Sequence, residues 1–376
     1  MASRAITIEV PALDGAPARQ VRLSSPERVM WPDGGENGIT KEDLARYIVA
    51  VGEALLRALR DRPVTLQRFP DGVEGEAFYS KNPPRGAPEW ARTVDVTYPS
   101  GRSHAQLVAD ELATAVWAVQ MNTVTFHPWP SRTANTDNPD QLRIDLDPQP
   151  GRGFADAVEA ALELREVLGE VGLTAWAKTS GNRGVHVFSH VRPDYEFLDV
   201  RHGVIAAARE LERRRPDLVT TAWWKEERGE KVFVDFNQAA RDRTIASAYS
   251  PRPLPHAPVS CPMRWEDLRD ADPRDLTIRS VPGLLAEHGD AWEGMDAAVG
   301  DVGPLLEWWR RDLADGLGEM PFPPDYPKMP GEPKRVQPSK SRADTEGLPT
   351  EELYAKPDRW QGRDVEEVSR QRRPRR

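Results

Sequence analysis

The chain has 376 residues, 39% of them hydrophobic and 12 of them tryptophan, enough for a sizeable core and too many for a globally disordered chain. Its longest uncharged apolar run, residues 112–121, falls well short of the ~20 residues of a membrane span, and no apolar leader is visible near the N-terminus. One cysteine, Cys261, excludes an intrachain disulfide and a multi-cysteine zinc site; the formal charge of −9 argues against indiscriminate coating of nucleic acid. A local basic groove remains compatible with that charge, because screening limits each charge to a reach of about 8–10 Å. The expectation is a soluble, cytoplasmic protein with no membrane partner.

In chain order, Thr40 and Asp43 form a capping pair ahead of apolar residues at Leu44, Ile48, Val51, Leu55 and Leu59, predicting one amphipathic helix. Residues 64–68 read as a strand, 107–121 as a second helix and 124–127 as a short strand. Residues 142–147 alternate apolar and polar with period two and stop at Pro148, a strand with a defined end. A helix over 154–171 is stopped by Gly172, and strands over 175–179 and 185–189 follow. A helix over 201–214 and an alternating strand over 231–237 complete a pattern of interleaved helices and strands, the mark of an α/β (α+β) protein. Seven prolines lie between Pro321 and Pro338, and ten Lys/Arg with eight Asp/Glu lie between Lys340 and Arg376, predicting an extended segment over 320–376.

Carboxylates carry the sharpest chemical signal. Side chains two apart on a strand point to one side, so Asp145 and Asp147 present a carboxylate pair while Ile144 and Leu146 face a core. Such a pair repels itself unless a cation intervenes, and hard divalent ions such as Mg²⁺ or Mn²⁺ take carboxylate oxygens. Asp235 sits in an apolar strand beside Val234, which is costly unless the acid is metal-bound or paired; Arg241 and Arg243 are the candidate ion-pair partners. Three converging acids would suit a two-metal displacement at phosphorus. Between the two central strand signals runs Thr179-Ser180-Gly181-Asn182-Arg183-Gly184-Val185-His186, which reads either as a plain hairpin turn or as a phosphate cradle. In the latter, glycines permit close backbone approach and Ser180, Arg183 and His186 supply donors. Arg228 and Arg252 are candidate clamps. Phe78 and Tyr79 beside Lys81 suit base stacking with a backbone contact, or a core aromatic with an exposed neighbour. His127 ends a strand, where it is either functional or structural.

Together these residues resemble the polymerase domain of bacterial ligase D, within the archaeo-eukaryotic primase superfamily. The stretches that carry the resemblance are SSPERVMWP, LQRFPDGVEGEAFYSKNPP, TFHPWPSR, LRIDLDP, TSGNRGVHVF, KVFVDFNQAARDRTIASAYSPRP and LTIRSVPGLLAEHGDAW, in family order from Ser24 to Trp292. The resemblance implies a primase-polymerase domain over residues 1–315. It would comprise an N-terminal αβ module over about 1–135, an RRM-like catalytic module over about 136–270 and a helical closure over 271–315, with the active site between the modules. It implies that Asp145, Asp147 and Asp235 hold two divalent ions, Mn²⁺ or Mg²⁺, in template-dependent nucleotidyl transfer from NTP or dNTP substrates. Ser180, Arg183, His186 and Arg252 would then bind the triphosphate, His127 would lie near the sugar, and Arg228 near the active site or the primer. Phe78 would stack on the template base with Tyr79 and Lys81 nearby, and Arg28 and Lys41 would bind the 5′-phosphate across a gap. The implied partners are gapped or broken DNA, a separate DNA ligase and end-binding proteins, at the nucleoid.

Arg28 and Arg183 stand where ligase-linked domains usually carry lysine, keeping charge while changing geometry. No Lys-x-Asp-Gly adenylation motif occurs in the chain, so the reading is a stand-alone primase-polymerase of the actinobacterial kind. It would fill short gaps in excision repair or end joining with a preference for ribonucleotides. A glycosyltransferase using Asp145 and Asp147 with a nucleotide sugar, and a non-catalytic scaffold that binds DNA breaks, are the rival expectations.

Overall fold

A computed structural model describes residues 5–98, 101–323 and 332–333. The expected extended tail over 320–376 lies almost wholly outside the described residues. The first part of the chain builds a hairpin of β1 (Ala5–Val10) and β2 (Arg19–Ser24), the short pair β3 (Val29–Trp31) and β4 (Ile39–Thr40), and helices α1 (Lys41–Ala50) and α2 (Gly52–Leu59). A five-stranded sheet follows from β5 (Pro63–Arg68), β6 (Phe78–Ser80), β7 (Arg92–Thr97), β8 (Ser103–Val108) and β9 (Thr123–Pro128), with α3 (Leu112–Gln120) between β8 and β9. In that sheet β5 is central, flanked by β9 on one side and by β6 and β8 on the other.

The second sheet holds β10 (Gln141–Pro148), β11 (Trp176–Thr179), β12 (Val185–His190), β13 (Val219–Thr220), β14 (Val232–Asp235), a short hairpin of β15 (Ser250–Pro251) with β16 (Val259–Ser260) standing apart from it, and β17 (Pro262–Met263) at its edge. Its order is β13-β14-β10-β12-β11-β17. Helices α4 (Phe154–Glu170) and α5 (Phe197–Arg214) pack on its apolar face. Ile144, Leu146, Val185, Val187 and Val234 point into that layer and are fully buried, as the period-two pattern requires. Two further helices, α6 (Val281–His288) and α7 (Gly303–Ala314), close the described chain, α7 lying against α5. Among the described residues no helix is long and apolar enough to cross a membrane.

Several sequence expectations shift, each for a local reason. The helix predicted from Thr40 is two helices, because Val51 leaves helical geometry (φ −97°, ψ 11°) and Gly52 lies where a Cβ would stand 2.4 Å from Leu112 Cδ2. The chain turns there to seat α2 against α3. The predicted helix over 107–121 starts only at Leu112: Leu107 and Val108 pair with Val64 and Pro63, and the Asp110 carboxylate accepts from the Asp61 amide at 2.7 Å. The helix predicted from Arg201 begins earlier, at Phe197, where the Asp199 carboxylate accepts from the Glu196 amide at 3.3 Å and holds the first turn. The strand predicted over 231–237 ends at Asp235, whose side chain caps a 3₁₀ turn, Phe236–Ala239, by accepting from the Asn237 amide at 3.0 Å.

One buried ion pair ties the start of β5 to the start of β10. Arg62 and Asp140, 1% and 6% exposed at the side chain, form a bidentate contact at 2.5 and 2.8 Å, and Arg132 Nε joins Asp140 Oδ2 at 2.7 Å. The arginines hold the Asp140 carboxyl below the ordinary range against the opposing effect of its burial. Removing the acid strands the Arg62 guanidinium in the interior. Asp140→Ala is therefore expected to lower the unfolding free energy by about 3 kcal/mol in urea titrations, with an unchanged m value. A loss under about 1 kcal/mol would contradict a structural role for the pair.

Candidate active site

Strand register alone assembles a polar row across the second sheet. Asp235 on β14 stands opposite Asp145 on β10, Asp145 opposite His186 on β12, and His186 opposite Lys178 on β11. Directly opposed residues share a face, so four ionisable side chains line up on the side away from the α4–α5 layer. Asp147, two residues along β10 and opposite Phe233, joins the same face and is exposed. Asp145 and Asp147 thus stand as the alternation of β10 predicts, and Asp235 faces Asp145 from the last residue of its strand.

The carboxylates disturb one another. The Asp145 carboxyl is pushed up to about 8, first by burial and then by the charges of Asp235 and Asp147, with Lys178 and Arg252 opposing. Burial also raises Asp235, although it accepts from the Asn237 amide and from Gln238 Nε2 at 2.9 Å. Among the described residues neither Arg241 nor Arg243 forms an ion pair with Asp235, although the Arg243 charge lowers it: Arg241 bonds the Thr97 carbonyl and Asp137, and Arg243 approaches Asp242. Among the described residues the three acids form no ion pair with an arginine or lysine; His186 Nε2 approaches Asp145 Oδ1 at 3.4 Å. Among the described residues, too, no group of three acid, histidine or cysteine side chains is gathered tightly enough to share an ion as it stands. The donor set nevertheless fits a hard divalent cation: oxygen ligands on one face, Asp145 repelled by the other two, with no arginine or lysine ion pair to any of the three among the described residues, and oriented by Asn237, Gln238 and Gln149, whose Nε2 reaches Asp147 Oδ2 at 3.2 Å.

Beside the acids lies the turn from Ser180 to Gly184. Ser180 Oγ accepts from the amides of Asn182 and Gly184 at 3.2 and 3.1 Å, and the Ser180 amide closes on the Gly184 carbonyl at 2.9 Å. Gly181 adopts φ +76°, and a Cβ there would stand 2.4 Å from Arg252 Cγ, so glycine lets the Arg252 stem lie directly against the turn. Arg252 lies among the groups that act on both Asp145 and His127; burial lowers its pKa, and its Nε has no hydrogen-bond partner. Arg183 is exposed and lines a cleft of about 590 Å³ with Phe154, Leu254 and His256.

His127 and Tyr79 approach from the first sheet, their rings edge-on at 5.5 Å. Burial, then the Arg252 charge, lower His127 to about 3, so its imidazole is neutral. On the edge strand β6, Phe78 and Tyr79 are 43% and 57% exposed, two large rings presented to solvent. Arg68 lies over Phe78 at 4.8 Å, while Lys81 places its ammonium over Tyr98 at 3.9 Å. Arg228 stacks on Phe233 at 3.4 Å and donates to the carbonyls of Ala222 and Trp223, a buried cation whose charge acts on Asp235 and Asp147. Arg28 is exposed and donates to the Pro70 carbonyl. Lys41 is 3% exposed, gives two of its three N–H groups to the carbonyls of Ser24 and Gln120, and is lowered to about 8 by burial and by Arg28.

Sequence reasoning missed Lys178, fully buried with its Nζ 2.6 Å from His186 Nδ1. Its signal was a lysine held between Ala177 and Thr179 in a strand that otherwise reads as interior.

Residues 40–292 match the family described as LigD, primase-polymerase domain. The chain belongs to this family. It is 30% identical over 322 residues to the multifunctional non-homologous end joining protein LigD of Mycolicibacterium smegmatis, covering 84% of this chain and 41% of that protein. It is 33% identical over 276 residues to the LigD protein of Pseudomonas aeruginosa, covering 72% of this chain and 32% of the relative. The chain therefore spans about two-fifths or less of these multifunctional proteins. A solved structure of the polymerase domain of Mycobacterium tuberculosis ligase D, in complex with DNA, superposes with a TM-score of 0.66 at 31% identity, covering 74% of this chain and 98% of that domain. The fold is accordingly that of the LigD polymerase domain, the archaeo-eukaryotic primase fold.

The acidic row has a pH signature. A carboxyl raised in the folded state binds its proton more tightly there than in the unfolded chain, whose value is ~3.9. The stability this proton contributes is complete below the unfolded value and is lost as pH rises through about 8. Melts recorded without divalent ions between pH 5 and 9 should show the midpoint falling as pH rises, with a shallower fall in Asp145→Asn. An identical profile in the variant would contradict the repulsion.

Proposed function

We propose that this LigD-type domain is a template-dependent nucleotidyltransferase that extends primers and fills short DNA gaps bearing a 5′-phosphate, with a preference for ribonucleotides, in DNA repair. The observation that carries the reading is the juxtaposition of three carboxylates, none ion-paired to an arginine or lysine among the described residues, with the Ser180–Gly184 turn and the buried Arg252, acids for cations beside cations for phosphates. The relatives support it: they are named for non-homologous end joining, and the solved M. tuberculosis domain is in complex with DNA.

Asp145, Asp147 and Asp235 would hold two divalent cations, Mn²⁺ or Mg²⁺, which when bound would supply Lewis-acid stabilisation of charge at the transferred phosphorus. The chain's own groups do the rest. Arg252 and Arg183 bind the triphosphate with the Ser180 hydroxyl and His186, and the fixed turn holds the leaving pyrophosphate in line. Neutral His127 offers a hydrogen bond to the nucleotide sugar without adding charge. The exposed ring of Phe78 stacks on the template base whatever its identity, as sequence-independent synthesis requires, with Tyr79 and Lys81 nearby. Arg28 and Lys41 form the cationic pocket for the downstream 5′-phosphate, Arg28 from the surface and Lys41 from beneath with one N–H left to give. Such a protein would work at the nucleoid in the cytoplasm, handing nicks to a separate ligase and sharing ends with end-binding proteins.

Extension of a primer across a short gap with a 5′-phosphate tests the reading directly. In Mn²⁺ the wild-type protein should add templated nucleotides, ribonucleotides faster than deoxyribonucleotides, and Asp145→Ala and Asp235→Ala should lose at least about 10³-fold in rate while still binding the gapped duplex. Extension by either variant at the wild-type rate would refute the assignment of the acids. Arg28→Ala should weaken use of the phosphorylated gap about tenfold, the loss of one charge-assisted contact, and leave a plain primer-template unaffected. Equal loss on both substrates would refute the 5′-phosphate pocket.

A further inference from the structure

The polar row does not stop at His186. Lys178, on the next strand, is fully buried, and its Nζ lies 2.6 Å from His186 Nδ1 and within hydrogen-bond reach of Ser260 Oγ. Ser260 Oγ in turn donates to the Thr179 carbonyl at 2.8 Å, so its proton is committed and its lone pair faces the lysine. A lysine amine buried among Phe188, Ser260 and His186 is expensive to keep, because a charge without solvent costs several kcal/mol that an apolar side chain of the same length would not. Nothing about folding calls for an amine at this position. Its two polar contacts are on one side Ser260, a hydroxyl that itself only anchors, and on the other the inner nitrogen of His186.

We propose that Lys178 is a positioning residue that fixes the His186 imidazole as the tautomer with its proton on Nε2, so that His186 presents an N–H donor to the phosphate side of the site. The proposal rests on the nucleotidyltransferase reading for its consequence and on the Lys178–His186–Asp145 geometry for its substance. An amine that donates to Ser260 and to Nδ1 leaves the ring's only proton on Nε2, the nitrogen that lies 3.4 Å from Asp145 Oδ1. A ring of the opposite tautomer would offer its Nε2 lone pair to the triphosphate and to the acids, repelling both. Burial and the Arg252 charge lower the Lys178 pKa. The lysine thus acts on the nucleotide through His186, and Ser260 acts as its anchor.

The ring's proton is read directly by two-dimensional ¹⁵N–¹H NMR of the whole protein, with the His186 signals assigned by their loss in His186→Gln. The expected result is a neutral ring protonated at Nε2 in the wild-type protein; a ring protonated at Nδ1 overturns the proposal without recourse to any variant. Lys178→Met keeps the length of the side chain and removes the donor and the charge. It should fold with a melting midpoint at or above that of the wild-type protein. It should also shift the His186 tautomer signals and raise the KM for the incoming nucleotide at least about tenfold, the loss of one hydrogen bond to a charged group, with a smaller effect on kcat. Combined with His186→Ala, it should add little further loss, because both remove one interaction. A well-folded Lys178→Met protein with an unchanged KM, or full additivity in the double variant, overturns the proposal. A wild-type protein that extends no primer, yet keeps the Nε2 proton and loses it in Lys178→Met, refutes the polymerase reading and upholds the action of Lys178 on His186.

Discussion

Two carboxylates are forced face to face in the middle of a sheet, and the rest of the site is arranged around that repulsion. Asp145 and Asp235 are directly opposed residues of β10 and β14, so the backbone ladder that stabilises the sheet is the same ladder that presses the acids together. Ile144, Leu146 and Val234 lock the register from the other face, because a one-residue slip would turn those apolar side chains out and the acids into the core. Register is therefore strongly specified by burial, and the repulsion is a consequence that only a proton or a cation relieves. The elevated Asp145 carboxyl records the first of these; the absence of an arginine or lysine ion pair to the acids among the described residues leaves room for the second.

Cations in the neighbourhood are held back from the acids by other commitments. Arg228 spends its donors on two carbonyls and its face on Phe233, and Lys178 is engaged by His186 and Ser260. Arg252 is pressed against Gly181 with an unpartnered Nε, a buried guanidinium left available to an anion. The acids thus lie toward β14, beside the committed Arg228, while Arg252 and the Ser180 turn lie toward β11, so that under the proposed reading a triphosphate with divalent ions would satisfy both sides at once. The Arg62–Asp140 pair serves this surface indirectly, by tying the strand that leads to the acids to the sheet that carries His127 and Tyr79.

How much of this the sequence discloses follows from which physics is local. Strand alternation is local, so Asp145 and Asp147 were placed on one face correctly, and the turn of Ser180 to Gly184 was found from its glycines and its flanking strands. The end of β14 at Asp235 was not legible, because the switch from strand to 3₁₀ turn depends on the Asp235 side chain capping its own backbone. The break at Val51 was hidden because it answers to Leu112, distant in sequence. Leu107 and Val108 continue an apolar run into α3, so only their pairing with Pro63 and Val64 reveals a strand. Lys178 escaped for the same reason: a lone lysine in a strand reads as an exposed edge until the histidine opposite it is known.

Binding of Mn²⁺ to the whole protein, followed by electron paramagnetic resonance with and without a non-hydrolysable nucleoside triphosphate, tests the central account most directly. The account predicts that Mn²⁺ binds, that the nucleotide tightens it because the acids and the cationic turn act on one ligand, and that Asp145→Asn abolishes both effects. Mn²⁺ binding that is indifferent to the nucleotide, or that survives intact in Asp145→Asn, would contradict it.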